Sequence, residues 1–225
     1  TIILHCKYTT IIKCNKIYYI IYLYKCVNLF DTIIKVMENY KKHLQSIINF
    51  SDESWEIIEN TLVEKQVKKN EFIMVPGEYS EDYYFVESGV IRSYTIDENG
   101  KEHVLQFGTE NWIVSDRNSA FCKQQSKFYI QAIEDSKVIL LNEKLTNLIS
   151  SLNPDYLAAQ NKLVQNHVRS LQDRINLLLG ATAKTRYLEF MRLYPNQLNR
   201  IPQWMIASYL GITPESLSRV RKEIA

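Results

Sequence analysis

Two kinds of hydrophobic spacing alternate along this chain. From Val67 to Leu141 apolar residues come in short runs closed by turn formers. Phe72, Met74 and Val75 run into Pro76-Gly77-Glu78, Tyr83 to Val86 into Ser88-Gly89, and Val90 to Ile96 into Asp97-Glu98-Asn99-Gly100. Val104 to Phe107 ends at Gly108, and Phe128 to Ile133 and Val138 to Leu141 flank Glu134-Asp135-Ser136. Strand-length runs with such turns predict an antiparallel sandwich or barrel. Asn99-Gly100 predicts a hairpin turn, since both central residues can take positive φ. On either side the spacing turns helical. Before the strands, residues 37–49 place Leu44, Ile47 and Ile48 on one side, and Ser51 caps a helix burying Trp55, Ile58 and Leu62.

After the strands comes a short helix over 142–151, then a long one over 154–179. The long helix carries Leu157, Val164, Leu171 and Leu178 seven apart, interleaved with Asn161, Val168 and Ile175. That is a heptad seam, and a lone polar residue such as Asn161 in a seam fixes register at some cost in stability. It predicts a dimer axis; a helix packed on its own domain is the alternative. Gly180 marks a hinge, and residues 181–194 lead into the last segment.

Residues 201–225 read as two helices joined by a turn. Met205, Ile206, Tyr209 and Leu210 form an apolar face, and Gly211 stops the first helix because glycine accepts a left-handed end. Thr213 caps the second helix with Pro214 at its first position; Ser216 stands where a capping box would place an acid. Leu217, Val220 and Ile224 make one stripe, opposite Glu215, Ser216, Ser218, Arg219, Arg221 and Lys222. Such a pair is a helix-turn-helix presenting polar side chains to a DNA major groove, or an ordinary helical hairpin with a solvated face.

Charge sharpens this picture locally. The whole chain carries a net charge of only +2, but residues 181–225 hold Lys184, Arg186, Arg192, Arg200, Arg219, Arg221 and Lys222 against Glu189, Glu215 and Glu223. Residues 1–36 differ from the rest, with Lys7, Lys13, Lys16, Lys25 and Lys35 against Asp31 alone. Lys13, Lys16, Lys25 and Asp31 cut every apolar run well below the ~20 residues of a membrane span, and no small-residue cleavage site follows. Met37 directly precedes an amphipathic segment, so translation is expected to start there naturally. The four Cys form no CxxC pair, which argues against a disulfide scaffold and a zinc site and suits a reducing cytoplasm. His103 is the sole His between His43 and His167, too few for a cupin-type metal centre. No Gly-x-Ser-x-Gly elbow is present, so neither an enzyme nor a metal is expected.

Pro76-Gly77-Glu78, the hairpin residues Tyr84 to Val90, and the stretch Ile206 to Arg219 together resemble the Crp/Fnr family of bacterial transcription regulators. The resemblance covers residues 37–225 and implies an α+β fold: an N-terminal antiparallel β jelly roll (cyclic-nucleotide-binding-like), a long dimerisation helix and a C-terminal winged-helix-type helix-turn-helix domain. The implied domains are an atypical tail over 1–36, an effector-type β roll over 37–141, connecting and dimerisation helices over 142–180, and a DNA-binding domain over 181–225. The family's recognition core stands as Glu215, Ser216 and Arg219, which implies Arg219 on a guanine edge and Glu215 on a cytosine amino group. Gln203, Thr213, Ser218, Arg221 and Lys222 complete the expected contacts. Pro214 replaces the family's frequent Arg before the Glu, which implies a different operator.

The candidate effector pocket is Gly77, Glu78, Arg117, Lys127 and Tyr129, although Arg117, the one Arg nearby, does not match the position of the family's clamp and also reads as solvated surface. Ser126, Lys127 and Phe128 stand where the cyclic AMP phosphate clamp belongs, with no Arg, so tight cyclic AMP binding is not expected. Fnr-type relatives hold an iron–sulfur cluster, but Cys6, Cys14 and Cys26 with Cys122 are irregularly spaced, and no cofactor is expected. The implied partners are double-stranded promoter DNA, a second copy of the chain, RNA polymerase and an unidentified small molecule, in the cytoplasm and without a membrane. A sensor that signals through protein contacts, its terminal helices serving only as packing, is the rival reading.

Overall fold

The computed structural model describes residues 37–224, nearly all of them within the compact unit Asn39–Ala225. The tail over 1–36 and its three Cys, and with them the expectation that translation starts at Met37, lie outside the described residues. Among the described residues no helix is long and apolar enough to cross a membrane.

Two short helices come first, α1 (Glu38–Gln45) and α2 (Asp52–Glu59). Ser51 caps α2 by accepting from the Ser54 amide, and Trp55 and Ile58 are buried as their spacing predicts. Eight strands follow: β1 (Val63–Val67), β2 (Phe72–Met74), β3 (Tyr83–Ser88), β4 (Ile91–Ile96), β5 (Glu102–Gly108), β6 (Ile113–Val114), β7 (Tyr129–Ala132) and β8 (Ser136–Leu141). They form two antiparallel four-stranded sheets, ordered β1-β8-β3-β6 and β2-β7-β4-β5. The short helix α3 (Arg117–Cys122) sits between β6 and β7. The hairpin at Asn99-Gly100 forms as expected, joining β4 to β5. Only Gly100 takes a positive φ, at 78°, because the Asp97 carboxylate accepts the amides of Asn99 and Lys101 and rounds the turn into a longer loop.

The helices return as α4 (Glu143–Leu152), capped by Asn142, and α5 (Tyr156–Gly180). Then come α6 (Ala183–Leu193), α7 (Gln203–Leu210) and α8 (Pro214–Ile224). Residues 194–202 form turns and irregular backbone, and no strand occurs among the described residues 181–224.

In the sheet β2-β7-β4-β5 the strand β4 is buried on both faces from Ile91 to Tyr94. Ile91 and Ile130 join Val67, Met74, Val86 and Val138 between the sheets. Tyr94, Val104 and Phe107 join a second core with Tyr187, Phe190, Tyr194, Met205, Ile206 and Leu210 of the helical module. Phe107 meets Tyr194 edge-on at 5.9 Å and Phe190 at 6.1 Å. Roll and helical module therefore share one apolar cluster, and burying it stabilises their contact by the ordinary hydrophobic term.

Candidate nucleic-acid interface

Helix α8 is built as its sequence dictates. Thr213 accepts from the Ser216 amide at 3.2 Å, and Gly211 ends α7 at φ 64°, ψ 35°, a left-handed end that costs a glycine nothing. Leu217 and Val220 are buried, pinning one face inward. Glu215, Ser218, Arg219, Arg221 and Lys222 are exposed, with Gln203 and Thr213, and Ser216 is half-buried. Arg219 donates to the Ser216 hydroxyl at 3.3 Å, which aims its guanidinium along the helix surface. Glu215's own amide and the Thr213 hydroxyl hold its carboxyl below the usual range, with Arg219 adding to the effect. Gln203, Pro214, Ser218, Arg221 and Lys222 line an open hollow of about 390 Å³. The exposed row Glu215-Arg219-Lys222 thus lies on the same helix as an open hollow to which Arg221 and Lys222 contribute positive charge.

Arg186 ties this unit to the long helix. Its guanidinium donates to the carbonyls of Leu178 (2.9 Å), Ala181 (3.1 Å) and Leu210 (3.0 Å). These belong to the C-terminal ends of α5 and α7, where helix geometry leaves carbonyls unpaired. The expected hinge at Gly180 is bridged by this one side chain.

Along α5 two faces separate. Tyr156 is buried and Leu163, His167, Arg174 and Leu177 are half-buried on the inward side. Burial, with a smaller push from Arg117, lowers the His167 pKa. On the other side Leu157, Asn161, Val168, Leu171, Ile175 and Leu178 are exposed and Val164 is half-buried. Leu157 and Ile175 are each 55% exposed.

The five effector residues do not all converge. Gly77 donates to the Ser126 carbonyl at 2.9 Å and Ser126 donates back to the Glu78 carbonyl at 2.8 Å, drawing Gly77 and Glu78 beside the exposed Lys127. Glu78's own carboxylate is occupied by the Val75 amide. Tyr129 instead stacks on Tyr94, centroids 4.9 Å apart, and Arg117 lies over the ring of Phe121 on α3. Sequence reasoning missed Asp116, which caps α3 and has one buried carboxylate oxygen with no hydrogen-bond partner among the described residues. It also missed the polar contacts between module and roll. An Asp ahead of an Arg-Asn-Ser run was the legible signal for the first; the second left none.

Comparison with known proteins agrees with this architecture. The cyclic nucleotide-binding domain family matches residues 64–151. The chain is 27% identical over 183 residues to electron transport regulator A of Shewanella oneidensis, covering 76% of this chain and 71% of that one. To the fumarate and nitrate reduction regulatory protein of Vibrio cholerae it is 26% identical over 167 residues, covering 69% of this chain and 66% of the relative. Among solved structures, FixK2 from Bradyrhizobium japonicum superposes with a TM-score of 0.62 at 22% identity, over 73% of this chain and 84% of that one. With a cyclic nucleotide-binding domain, a long helix and a capped terminal helix pair in that order, the chain is similar to transcription regulators of the Crp/Fnr type.

Proposed function

We propose that the protein acts in the cytoplasm as a homodimer that reads a two-fold symmetric operator and regulates transcription in contact with RNA polymerase. Labour divides along the chain: an effector-type roll over 37–141, an axis over 142–180 and a reader over 181–225. The observation that carries this reading is the exposed row Glu215-Arg219-Lys222 on a capped helix whose opposite face is buried. The exposed apolar seam on α5 supports the two-fold arrangement, because readers of this kind place paired recognition helices about 34 Å apart.

The effector is a small molecule other than cyclic AMP. Where a phosphate clamp would stand, Ser126 is buried and turned onto the Phe128 amide and carbonyl, and Lys127 is exposed with no fixed partner among the described residues to shape a cradle. Its relatives are transcription regulators rather than enzymes, and no catalytic role is assigned to any residue. Selection of bound duplexes from a random-sequence library tests the proposal. Enrichment of a two-fold symmetric sequence supports it. Retention no better than non-specific DNA sinks it in favour of a sensor that signals through protein contacts.

A further inference from the structure

Arg200, Trp204 and Ser208 stand four residues apart and all meet the roll. Arg200 donates to both oxygens of Glu110, at 2.8 and 3.1 Å, and to Gln197 at 2.7 Å. Its Nε reaches Glu134 at 3.2 Å, and a second nitrogen pairs with the same carboxylate. Glu110 precedes β6 and Glu134 precedes β8, so one guanidinium clamps two loops of the roll. The Trp204 ring lies 5.1 Å from the Arg92 guanidinium, which rests 4.0 Å over Tyr94. Arg92 is buried and held by Glu102 and Gln131. The Ser208 hydroxyl donates to the Glu102 carbonyl at 2.7 Å and accepts from the Val104 amide at 3.0 Å. Both groups lie on β5, which ends its sheet, so Ser208 satisfies part of an open strand edge.

None of these contacts covers the reading face. Gln203, Glu215, Arg219, Arg221 and Lys222 stay exposed while the module is seated on the roll. The seat therefore orients the reader and does not mask it. Reading two half-sites at once requires α8 at a fixed angle to α5, and a reader free to swing would lose orientational freedom on binding. A salt-bridged fork suits this role, because its planar geometry fixes direction as well as distance.

We propose that Arg200 is a positioning residue for DNA recognition, seating the reader on the roll through Glu110 and Glu134 and so fixing the spacing of the two recognition helices. The inference rests on the homodimeric operator-binding reading above. Its test uses the full chain and the Glu110→Gln/Glu134→Gln double variant, which preserves side-chain shape and the amide contact at Glu110. The probes are the symmetric duplex recovered by selection and the same duplex with one half-site scrambled. The variant is expected to lose about tenfold in affinity for the symmetric duplex while binding the scrambled one within about twofold of the parent. Exchange of the Val104 amide hydrogen should also speed up, since its acceptor sits on the released helix.

An unchanged symmetric-duplex affinity overturns the proposal, and so does an equal loss on both duplexes, which marks a purely structural role. If the parent protein binds both duplexes alike, the dimeric reading fails on its own. The Val104 exchange rate then still decides whether Arg200 seats the reader, and no change in it overturns the seat.

Discussion

The Arg186 guanidinium donates to the Leu210 carbonyl at 3.0 Å, the end of α7, while its other nitrogens hold Leu178 and Ala181 at the end of α5. A single side chain thus closes two helix termini whose carbonyls have no partner within their own helices. Arg186→Ala should destabilise the fold by about 1.5–3 kcal/mol, the range for hydrogen bonds to charged groups. Arg186→Lys should recover little, because a point charge cannot serve three carbonyls in a fork. Urea denaturation of the three proteins checks this, and a Lys variant as stable as the parent would refute the geometric argument.

Arg219 and Lys222 share a helix face but should fail differently. Arg219→Ala should cost about 1–3 kcal/mol and relax preference at one base pair per half-site. Lys222→Ala should weaken all sequences alike and reduce the salt slope by about 1. Binding isotherms on single-base operator variants across a salt series separate the two. Matching base-specific losses for both would mean that Lys222 also reads a base edge.

How legible each element was in the sequence depends on what that element needs. Helix α8 needs only local signals, a Thr cap, a Gly stop and one apolar stripe, and all three stand where expected. The longer strands were legible for the same reason. Strand β1 was not, since VEKQV buries only Val67, and the two-residue β6 exists only through pairing with β3. The seat on the roll was least legible. Arg200, Trp204 and Ser208 look like a solvated row until Glu110, Glu134 and the β5 edge, all distant in sequence, are brought against them. Long-range polar pairing leaves no periodicity to read.

The seam on α5 yields a test of assembly. Leu171 is 43% exposed in the single chain, so an acidic side chain there meets water unless a second copy covers it. Leu171→Glu should convert the protein to a monomer with its helix content intact, read by sedimentation and circular dichroism. A variant that sediments as the parent does would place the interface elsewhere.

Two carboxylates of the roll should shape stability against pH in opposite senses. Glu87 is 4% exposed and accepts the amides of Asn39 and Tyr40 at the start of α1. Burial pushes its pKa up, only partly offset by those two amides and Lys137. A folded value above the unfolded one means that its titration favours the fold on the acid side, and that contribution is lost as pH rises through the folded value. Glu110 is the reverse. Burial pushes its pKa up, but hydrogen bonds from Arg200, from its own amide and from the Gly89 amide outweigh that, and the net value is lowered. Its contribution is present above the ordinary glutamate value and disappears as pH falls through the folded one. Unfolding free energies of the parent minus Glu87→Gln should therefore decrease with rising pH, whereas the parent minus Glu110→Gln should increase over the acid range. A urea series from acid to neutral pH reads both differences, and slopes of the same sign would show that the Arg200 contact does not hold Glu110 ionised.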